Sequence, residues 1–437
     1  MQLKIKNIAK IKEAEVNIDG ITVIAGENNT GKSTIGKLLF SIFNSMNNMD
    51  KKIEREKENK VYNIINFLLQ SNSIQNPISS SGNRVRFNVL SRKIAEYIIE
   101  FIQNESNENF ENYVEGIIKN DTYLNDNINL ESFIEECAVS VSDIFNISDK
   151  KVMTEVITRW FNRVFEEQVS PLNDSDDESE INLFIKENEI NFVFKNNICV
   201  EWDSGLNILH EAFYIDNPFI IDYMSGRLRT QYKTTDSHLI RHLIRHLSDE
   251  EENIYEGAFD AVMAKDKLED IYNMLGDIID GEFIENKVGE YYLKLNNYDK
   301  PINIKNLSTG LKSFALIKRL LENGSLKEKD VLILDEPEIH LHPEWQLIYA
   351  QMIVLLQKEF DLTMIITTHS PYFLDAIDVF TTKYKISDRV NYYLSENDGE
   401  VSYLSDVTDN IDAIYKKLSD PLQRLENIRN EIGIDKE

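Results

Sequence analysis

The alternation of apolar and polar residues at the start of the chain predicts strands. Leu3–Ile8 and Glu13–Ile18 alternate as half-buried strands do, and Ile21–Ala25 is a short apolar run that leads into a helical pattern. From residue 46 to about residue 170, apolar residues instead recur every three or four positions, which predicts a series of helices. None of these stretches sustains several heptads, so we expect a compact helical insertion without long coiled-coil arms.

Strand patterns return in the second half of the chain. Residues 191–202 predict a hairpin, 212–215 and 219–221 predict short strands, and 281–304 alternates as paired strands do. Val331–Leu334 is wholly apolar, which is typical of a buried parallel strand. The order predicts an α/β fold with a mixed, largely parallel sheet, interrupted by a mainly helical insertion. We divide the chain into the first part of the α/β domain (1–45), a helical insertion (46–170), the remainder of that lobe (171–300), the second part of the α/β domain (301–390), and a C-terminal strand pair with a helical tail (391–437).

Composition limits the class of protein and the cellular compartment that we expect. A hydrophobic content of 42% in 437 residues is ample for real cores, so global disorder is not expected. No apolar run approaches the roughly 20 residues that a membrane helix needs, and the N-terminus lacks the apolar core of a signal peptide. Two cysteines cannot form a disulfide framework. We therefore expect a cytoplasmic protein that does not engage a membrane.

The net charge of −28 argues against a surface that coats nucleic acid broadly. The best local basic patch combines Arg227, Arg229 and Lys233 with the segment 237–247, and it suits a phosphate backbone or an acidic partner equally well. That segment also carries a stripe of histidines one helical turn apart: His238, His242 and His246. Such spacing can hold a metal ion, but no cysteine or acidic ligand accompanies the histidines at a telling distance along the chain. A basic helix face, with its leucines packed inward, is the favoured interpretation.

The segment from Gly26 to Ser33 fits G-x-x-x-x-G-K-S, a loop whose backbone N–H groups surround the phosphates of a nucleotide. It lies between a predicted strand and a predicted helix, and the helix N-terminus adds partial positive charge to the anion site. Lys32 is placed to reach the β- and γ-phosphates, and Ser33 to offer its hydroxyl to Mg²⁺. The candidate ATP-binding residues of this loop are Gly26, Asn28, Asn29, Thr30, Gly31, Lys32, Ser33 and Thr34.

Two acids, Asp335 and Glu336, follow the apolar run at Val331–Leu334. Open α/β sheets bind ligands at the carboxyl ends of their strands, which is where these acids are predicted to lie. Acids at a strand end are often only solvated, but together with a phosphate loop they indicate a hydrolytic site. We expect Asp335 to hold Mg²⁺ and Glu336 to orient and deprotonate the attacking water.

A third motif, Leu307-Ser308-Thr309-Gly310, precedes an amphipathic helix. Alone it is typical of an ordinary helix N-cap. With the two motifs above, however, it resembles the L-S-x-G signature of ATP-binding-cassette (ABC) ATPases. Met364–Pro371 is similar to the strand of that class that carries a histidine sensor of the γ-phosphate, here His369. The stretch Asp335–Pro343 further resembles heads of the SMC, RecF and OLD-like group.

This resemblance covers about residues 1–45 and 285–385. It implies ATP and Mg²⁺ as cofactors and hydrolysis at composite sites between two heads, in a homodimer or a higher homo-oligomer. Lys32 and Ser33 then act within one head, while Ser308 and Gly310 act on the ATP of the other. The class also uses a glutamine loop, for which only Gln70 and Gln75 are candidates, by their order in the chain.

Short proteins of this kind are similar to bacterial antiphage-defence ATPases, such as the PtuA-like component of Septu and the AriA-like component of PARIS. The resemblance implies a sensor or scaffold that controls a separate effector, a nuclease or a toxin, with DNA or a phage component as a further candidate partner. The stretch after Ser370 is too short for a Toprim nuclease, so we expect no nuclease in the chain itself. A repair or recombination ATPase acting on DNA, or a nucleotide-locked scaffold, remains the alternative.

Overall fold

The computed structural model describes most of the chain, in the ranges 1–72, 81–103, 110–120, 129–171, 177–224, 237–247, 281–287, 290–296 and 298–431, together with residues 271, 273 and 278. Within these ranges the chain forms two compact units. The first consists of Met1–Asn47 and Ile157–Glu437, and the second of Asn48–Val156. In the described part of the chain, no helix has the length and apolar character to cross a membrane.

The first unit is built on a sheet of eleven strands in the order β6-β5-β4-β1-β2-β14-β13-β3-β12-β11-β7. Neighbouring strands from β13 to β7 run parallel, and they have nearly continuous buried faces because helices cover them. The strands are β1 (Gln2–Ile8), β2 (Ile11–Asn17), β3 (Ile21–Gly26), β4 (Ser179–Ile185), β5 (Asn188–Lys195), β6 (Ile198–Ser204), β7 (Ala212–Ile215), β11 (Val331–Asp335), β12 (Thr363–Thr368), β13 (Val390–Asp398) and β14 (Val401–Asp406).

The other half of the sheet is antiparallel except where β14 meets β2 in parallel. β5 and β6 form the hairpin that the sequence predicts. A separate antiparallel sheet of three strands has the order β10-β9-β8, with β8 at Gly281–Glu285, β9 at Tyr291–Leu295 and β10 at Ile302–Asn303. The sequence-based strand at 219–221 is wrong: Pro218–Met224 forms a 3-10 helix. Pro218 has no N–H to donate to a strand ladder, and an apolar run this short does not distinguish helix from strand.

Within the described residues, six α-helices of the first unit pack on the large sheet or beside it. Three have clear start signals: Ser308 caps α8, while α9 and α10 each begin with a proline behind a capping side chain, His342 and Ser370 respectively. The six are α1 (Lys32–Met46), α7 (His238–Leu247), α8 (Thr309–Glu322), α9 (Pro343–Phe360), α10 (Pro371–Tyr384) and α11 (Asp412–Glu431). The buried core between these helices and the parallel strands includes Val23, Leu332 and Ile366.

The second unit is helical. Its helices are α2 (Met49–Ser71), α3 (Ser81–Gln103), α4 (Phe110–Lys119), α5 (Leu130–Asn146) and the first half of α6 (Asp149–Phe165), whose second half belongs to the first unit. Its own hydrophobic core includes Ile65, Ile98, Val114 and Phe133. The α/β fold is thus interrupted by a mainly helical insertion, as the sequence predicts.

Candidate functional site

The phosphate-loop segment connects β3 to α1 through residues with left-handed backbone conformations. The φ angles of Gly26, Asn29 and Gly31 are 152°, 60° and 85°, values that favour glycine and that asparagine tolerates. Asn28 and Asn29 are exposed at the tip, and Thr34 lies in the first turn of α1. Gly31 provides no side-chain cap to α1. The first N–H groups of the helix therefore face the loop as an anion-binding surface.

The Lys32 side chain lies inside this loop. Its Nζ donates hydrogen bonds to the backbone carbonyls of Gly26 at 3.2 Å and Glu27 at 2.7 Å. Burial lowers the pKa of Lys32, while the nearby charges of Glu336 and Asp335 act in the opposite direction. A cation is thus held at the base of the loop, close to two carboxylates.

Side chains from outside the motif brace the loop. Ser395 on β13, which is fully buried, donates from Oγ to the carbonyl of Thr30 at 2.7 Å. Thr30 Oγ1 donates to Glu27 O at 2.9 Å, and Lys10 Nζ donates to Asn29 O at 2.9 Å. These bonds hold the carbonyl groups of Glu27, Asn29 and Thr30 in place.

Asp335 is the meeting point of three hydroxyl groups. Its Oδ1 accepts hydrogen bonds from Ser33 Oγ at 3.0 Å and from Thr367 Oγ1, and its Oδ2 accepts one from the Tyr214 hydroxyl at 2.6 Å. The structure thus brings together the two predicted Mg²⁺ ligands. Both offer hard oxygen atoms, and adjacent ligands of an octahedral ion with bonds of about 2.1 Å are themselves about 3 Å apart. Ser33 and Asp335 therefore fit a Mg²⁺ ion.

A further carboxyl group, on Asp216, follows β7 beside this pair. Burial raises the pKa of Asp216, and the charge of Asp335 adds to the effect. The pKa of Tyr214 is raised well above its ordinary value, chiefly by burial and then by Asp335. Of the suggested glutamine-loop residues, Gln70 donates a hydrogen bond to Asn66 within α2 of the second unit, and Gln75 lies outside the described residues.

Glu336 has a backbone conformation that is unusual for its residue type, with a φ of 51°. Its N–H donates to both the hydroxyl, at 3.0 Å, and the carbonyl, at 3.2 Å, of Thr367 on β12. The turn directs the side chain so that Oε1 contacts His369 Nε2 and lies 4.0 Å from Lys32 Nζ. The predicted base, the predicted γ-phosphate sensor and the loop lysine therefore form one cluster.

Glu338 is an acid of the site that the motif analysis passed over. Its Oε1 accepts hydrogen bonds from Thr368 Oγ1 at 2.6 Å, from the His369 N–H at 2.9 Å and from the Ser370 N–H at 3.3 Å. Only 4% of the residue is exposed, and burial raises the pKa of its carboxyl group against the effect of these hydrogen bonds. Glu338 thus fixes the turn that carries His369.

The signature segment starts α8. Ser308 is exposed and its Oγ accepts a hydrogen bond of 3.4 Å from Leu311 N–H, as an N-cap does. Gly310 is buried, and a Cβ there would approach the ring of Trp345 to 2.8 Å. Within the described ranges, no hydrogen bond or ion pair links Ser308 to the phosphate loop. The exposed start of α8 is therefore not bonded to the phosphate loop in the part of the chain that the structure describes.

Sequence reasoning missed Tyr214, Glu338 and Ser395. Tyr214 lies in a stretch that the sequence predicts as a strand, and Glu338 lies two residues after Glu336. Both positions therefore belong to segments that the sequence analysis had already identified. Nothing local to either residue indicated its partner. Ser395 and Thr30 are 365 positions apart, and only the parallel pairing of β13 with β3 brings them together.

A phosphate loop and an acid pair at the carboxyl edge of a parallel sheet define the class of P-loop nucleotide-binding proteins. Residues 1–374 match the family model described as AAA ATPase domain (AAA_15), and the chain belongs to this family. The protein is accordingly an ATPase-type, nucleotide-binding chain.

Individual relatives are more distant. The chain is 33% identical to the Septu protein PtuA of Bacillus thuringiensis over a match that covers 21% of this chain and 28% of that protein. A head domain of SMC from Pyrococcus furiosus, solved with an extended coiled coil and the C-terminal domain of ScpA, is 13% identical with a TM-score of 0.41 over 98% of each chain. The SMC head domain of Thermotoga maritima is 12% identical with a TM-score of 0.38, over 93% of this chain and 98% of that one.

Proposed function

We propose that this chain binds ATP with Mg²⁺ and hydrolyses it at the carboxyl edge of β11, β12 and β3. The observation that carries the proposal is the junction of Ser33 with Asp335 at 3.0 Å, beside the Glu336–His369 pair. Two candidate metal ligands and a candidate base converge on the end of the phosphate loop from two segments, and His369 joins them from a third. Few structural roles need that combination in one place.

The chain's own residues have distinct tasks in this proposal. Lys32 and the N–H groups of the loop and of α1 bind the β- and γ-phosphates, and Ser33 with Asp335 holds Mg²⁺, which neutralises charge on those phosphates when bound. Glu336 accepts the proton of the attacking water. Thr367 accepts hydrogen bonds from the Glu336 backbone N–H. His369 senses the γ-phosphate and contacts the carboxylate of Glu336. Tyr214 and Thr367 hold the Asp335 carboxylate in place.

We assign Ser308 and Gly310 to the ATP of a second head. Ser308 is exposed at the start of α8, where the helix N-terminus and the serine hydroxyl suit a phosphate oxygen. The γ-phosphate needs charge neutralised from several sides, and a second subunit supplies the donors that one head lacks. The working unit in this proposal is a homodimer of heads or a higher homo-oligomer.

The match to PtuA supports a role in bacterial antiphage defence, although it spans only 28% of that protein. In this proposal the ATPase is a cytoplasmic sensor or scaffold, and ATP-driven changes control a separate effector such as a nuclease or toxin. A net charge of −28 suits a basic partner protein, because complementary charge speeds and orients association.

One experiment tests both the proposed ATP hydrolysis and the proposal that any effector activity belongs to a separate protein. The purified full chain is incubated with ATP and, separately, with plasmid, single-stranded DNA and tRNA in Mg²⁺ or Mn²⁺. We expect ATP hydrolysis and no nucleic-acid cleavage. Lys32→Ala should abolish hydrolysis by weakening nucleotide binding, whereas Lys12→Ala, which removes an exposed lysine paired with Asp177, should not. Full hydrolysis by Lys32→Ala contradicts the site, and cleavage that follows the protein peak in Lys32→Ala contradicts the separate effector.

A further inference from the structure

The histidine stripe on α7 divides into two environments. His238 packs against Trp160, with ring centroids 4.1 Å apart, and burial together with Arg241, Arg163 and Arg245 lowers its pKa to about 4. The next two histidines turn instead toward Glu211, the residue directly before β7. Leu239, Leu243 and Leu247 are buried as the helix pattern predicts, but His242 is also buried, so the histidines do not form one exposed basic face.

We propose that Glu211, His242 and His246 bind one divalent transition-metal ion of the Zn²⁺ class. Each offers one ligand atom, and these atoms all lie within 4.8 Å of one another. Two imidazoles with one carboxylate are a donor set that zinc takes in proteins, with a fourth position left for water or another ligand. Mg²⁺ and Ca²⁺ prefer oxygen ligands, so this set selects against the ion of the ATP site.

The distances suit a single ion. Glu211 Oε2 lies 3.0 Å from His246 Nε2 and 3.9 Å from His242 Nε2. Ligand atoms of a tetrahedral ion with bonds of about 2.0–2.1 Å are about 3.3–3.4 Å apart. The two separations from Glu211 bracket that value, and the two imidazole ligand atoms lie within 4.8 Å of each other. Both rings direct Nε2 toward the same carboxylate oxygen, which is the arrangement that shared coordination requires.

The backbone on both sides of the cluster is fixed. The Glu211 N–H donates to Asp330 Oδ1 at 3.1 Å, and the Glu211 carbonyl accepts from Val331 N–H at 2.9 Å. At the end of α7, the His246 carbonyl accepts from Ser325 Oγ at 2.9 Å. Because neither the strand end nor the helix end can shift easily, the three ligands are held near one point before any ion binds.

Aromatic side chains wall the cluster on the core side. The Phe213 ring meets His246 edge-on at 5.0 Å and His242 at 5.8 Å, and Phe40 meets His242 at 5.1 Å between ring centroids. This wall limits the rotation of both imidazoles and keeps water from one side of the site. On the outer side, Arg245 approaches His246 Nε2 at 3.3 Å. Arg245 is exposed, so its guanidinium can turn into solvent when an ion takes that position.

The metal site is separate from the ATP site. Glu211 precedes β7 and Asp216 follows it, at opposite ends of a four-residue strand, and a strand rises about 3.3 Å per residue. The four residues of β7 span about 10 Å, and Glu211 and Asp216 lie beyond its two ends. A bound ion would join the amino end of β7 to α7.

The test uses the untagged full chain after dialysis against a chelator. Zn²⁺ is titrated against a chromophoric chelator, and Co²⁺ is added as a spectroscopic probe. We expect one equivalent per chain, a rise in the melting temperature of several degrees, and visible Co²⁺ absorption typical of a tetrahedral nitrogen and oxygen site. Glu211→Gln and His246→Gln should each weaken Zn²⁺ binding by at least about 100-fold. His210→Gln, a neighbouring histidine paired with Asp330, is the matched control and should bind normally.

Asp335→Asn separates this proposal from the ATPase proposal. That variant should lose ATP turnover but keep its equivalent of Zn²⁺, so failure at one site is visible without failure at the other. Equal Zn²⁺ affinity in Glu211→Gln, His246→Gln and the His210→Gln control would overturn the metal site. So would the absence of stoichiometric Zn²⁺ or Co²⁺ binding by the unaltered chain.

Discussion

The two ends of the paired strands β7 and β11 are built in different ways. At the carboxyl end, Asp335 gathers Ser33, Tyr214 and Thr367 around a phosphate loop. At the amino end, Glu211 faces two histidines of α7, and aromatic rings pack against those histidines. The first site rests on contiguous motifs, whereas the second combines a histidine pair of α7 with a single acid from another segment. The comparison teaches that a sequence reveals a site only when each of its segments carries a recognisable motif.

The two sites are also expected to differ in their need for a second subunit, and this gives the largest predicted effect. Lys32→Ala and Ser308→Arg should each be inactive alone because each removes one half of every composite site. In a symmetric dimer, equal mixing with free exchange restores one intact site in half of the pairs, so about a quarter of the sites should recover. ATP turnover of the mixture measures this.

The cluster of Glu211, His242 and His246 at the amino end of β7 provides an internal control for the mixing experiment. All three of its ligands come from one chain, so each parent and the mixture should bind the same equivalent of Zn²⁺. If subunit exchange is demonstrated and turnover stays at the level of the parents, the assignment of Ser308 to the neighbouring head is wrong.

A smaller effect is expected at Glu338, which positions the turn of His369. Glu338→Ala leaves the Thr368 hydroxyl and the His369 N–H without the acceptor they have here, whereas the Ser370 N–H keeps its bond of 3.0 Å to Thr368 Oγ1. We expect turnover to fall by about 10–100-fold, with nucleotide affinity retained and a lower melting temperature. Glu338→Gln keeps one acceptor oxygen and should retain most of the activity. Equal losses in the two variants would show that the charge matters and that the hydrogen bonds to the turn do not.

Local pattern was enough for much of the fold. Strands β3 and β11 are short apolar runs next to diagnostic loops, and the hairpin of β5 and β6 alternates visibly. The run 219–221 failed because three apolar residues carry no period, and Pro218 favoured a 3-10 turn. The order of strands in the sheet could not be predicted, because β13 and β3 are far apart in the chain and nothing local to either strand indicates that they pair.

The candidate sites also differ in how far local sequence predicts them. The sequence brought Lys32, Ser33 and Asp335 into one hypothesis because each lies in a motif with its own physical signature. Glu211 has no such signature: it is a single acid in a loop, more than 25 residues before the helix whose histidines it meets. Only the placement of α7 against the start of β7 makes it a ligand candidate.

The most direct test of the account is the turnover of Glu336→Gln beside its nucleotide affinity. Glu344→Gln, an exposed acid in the first turn of α9, is the matched control and should behave as the unaltered chain does. The account predicts that Glu336→Gln binds ATP with Mg²⁺ normally and loses about 10²–10⁴-fold in turnover, the usual contribution of a positioned general base. Near-normal hydrolysis by Glu336→Gln would contradict it.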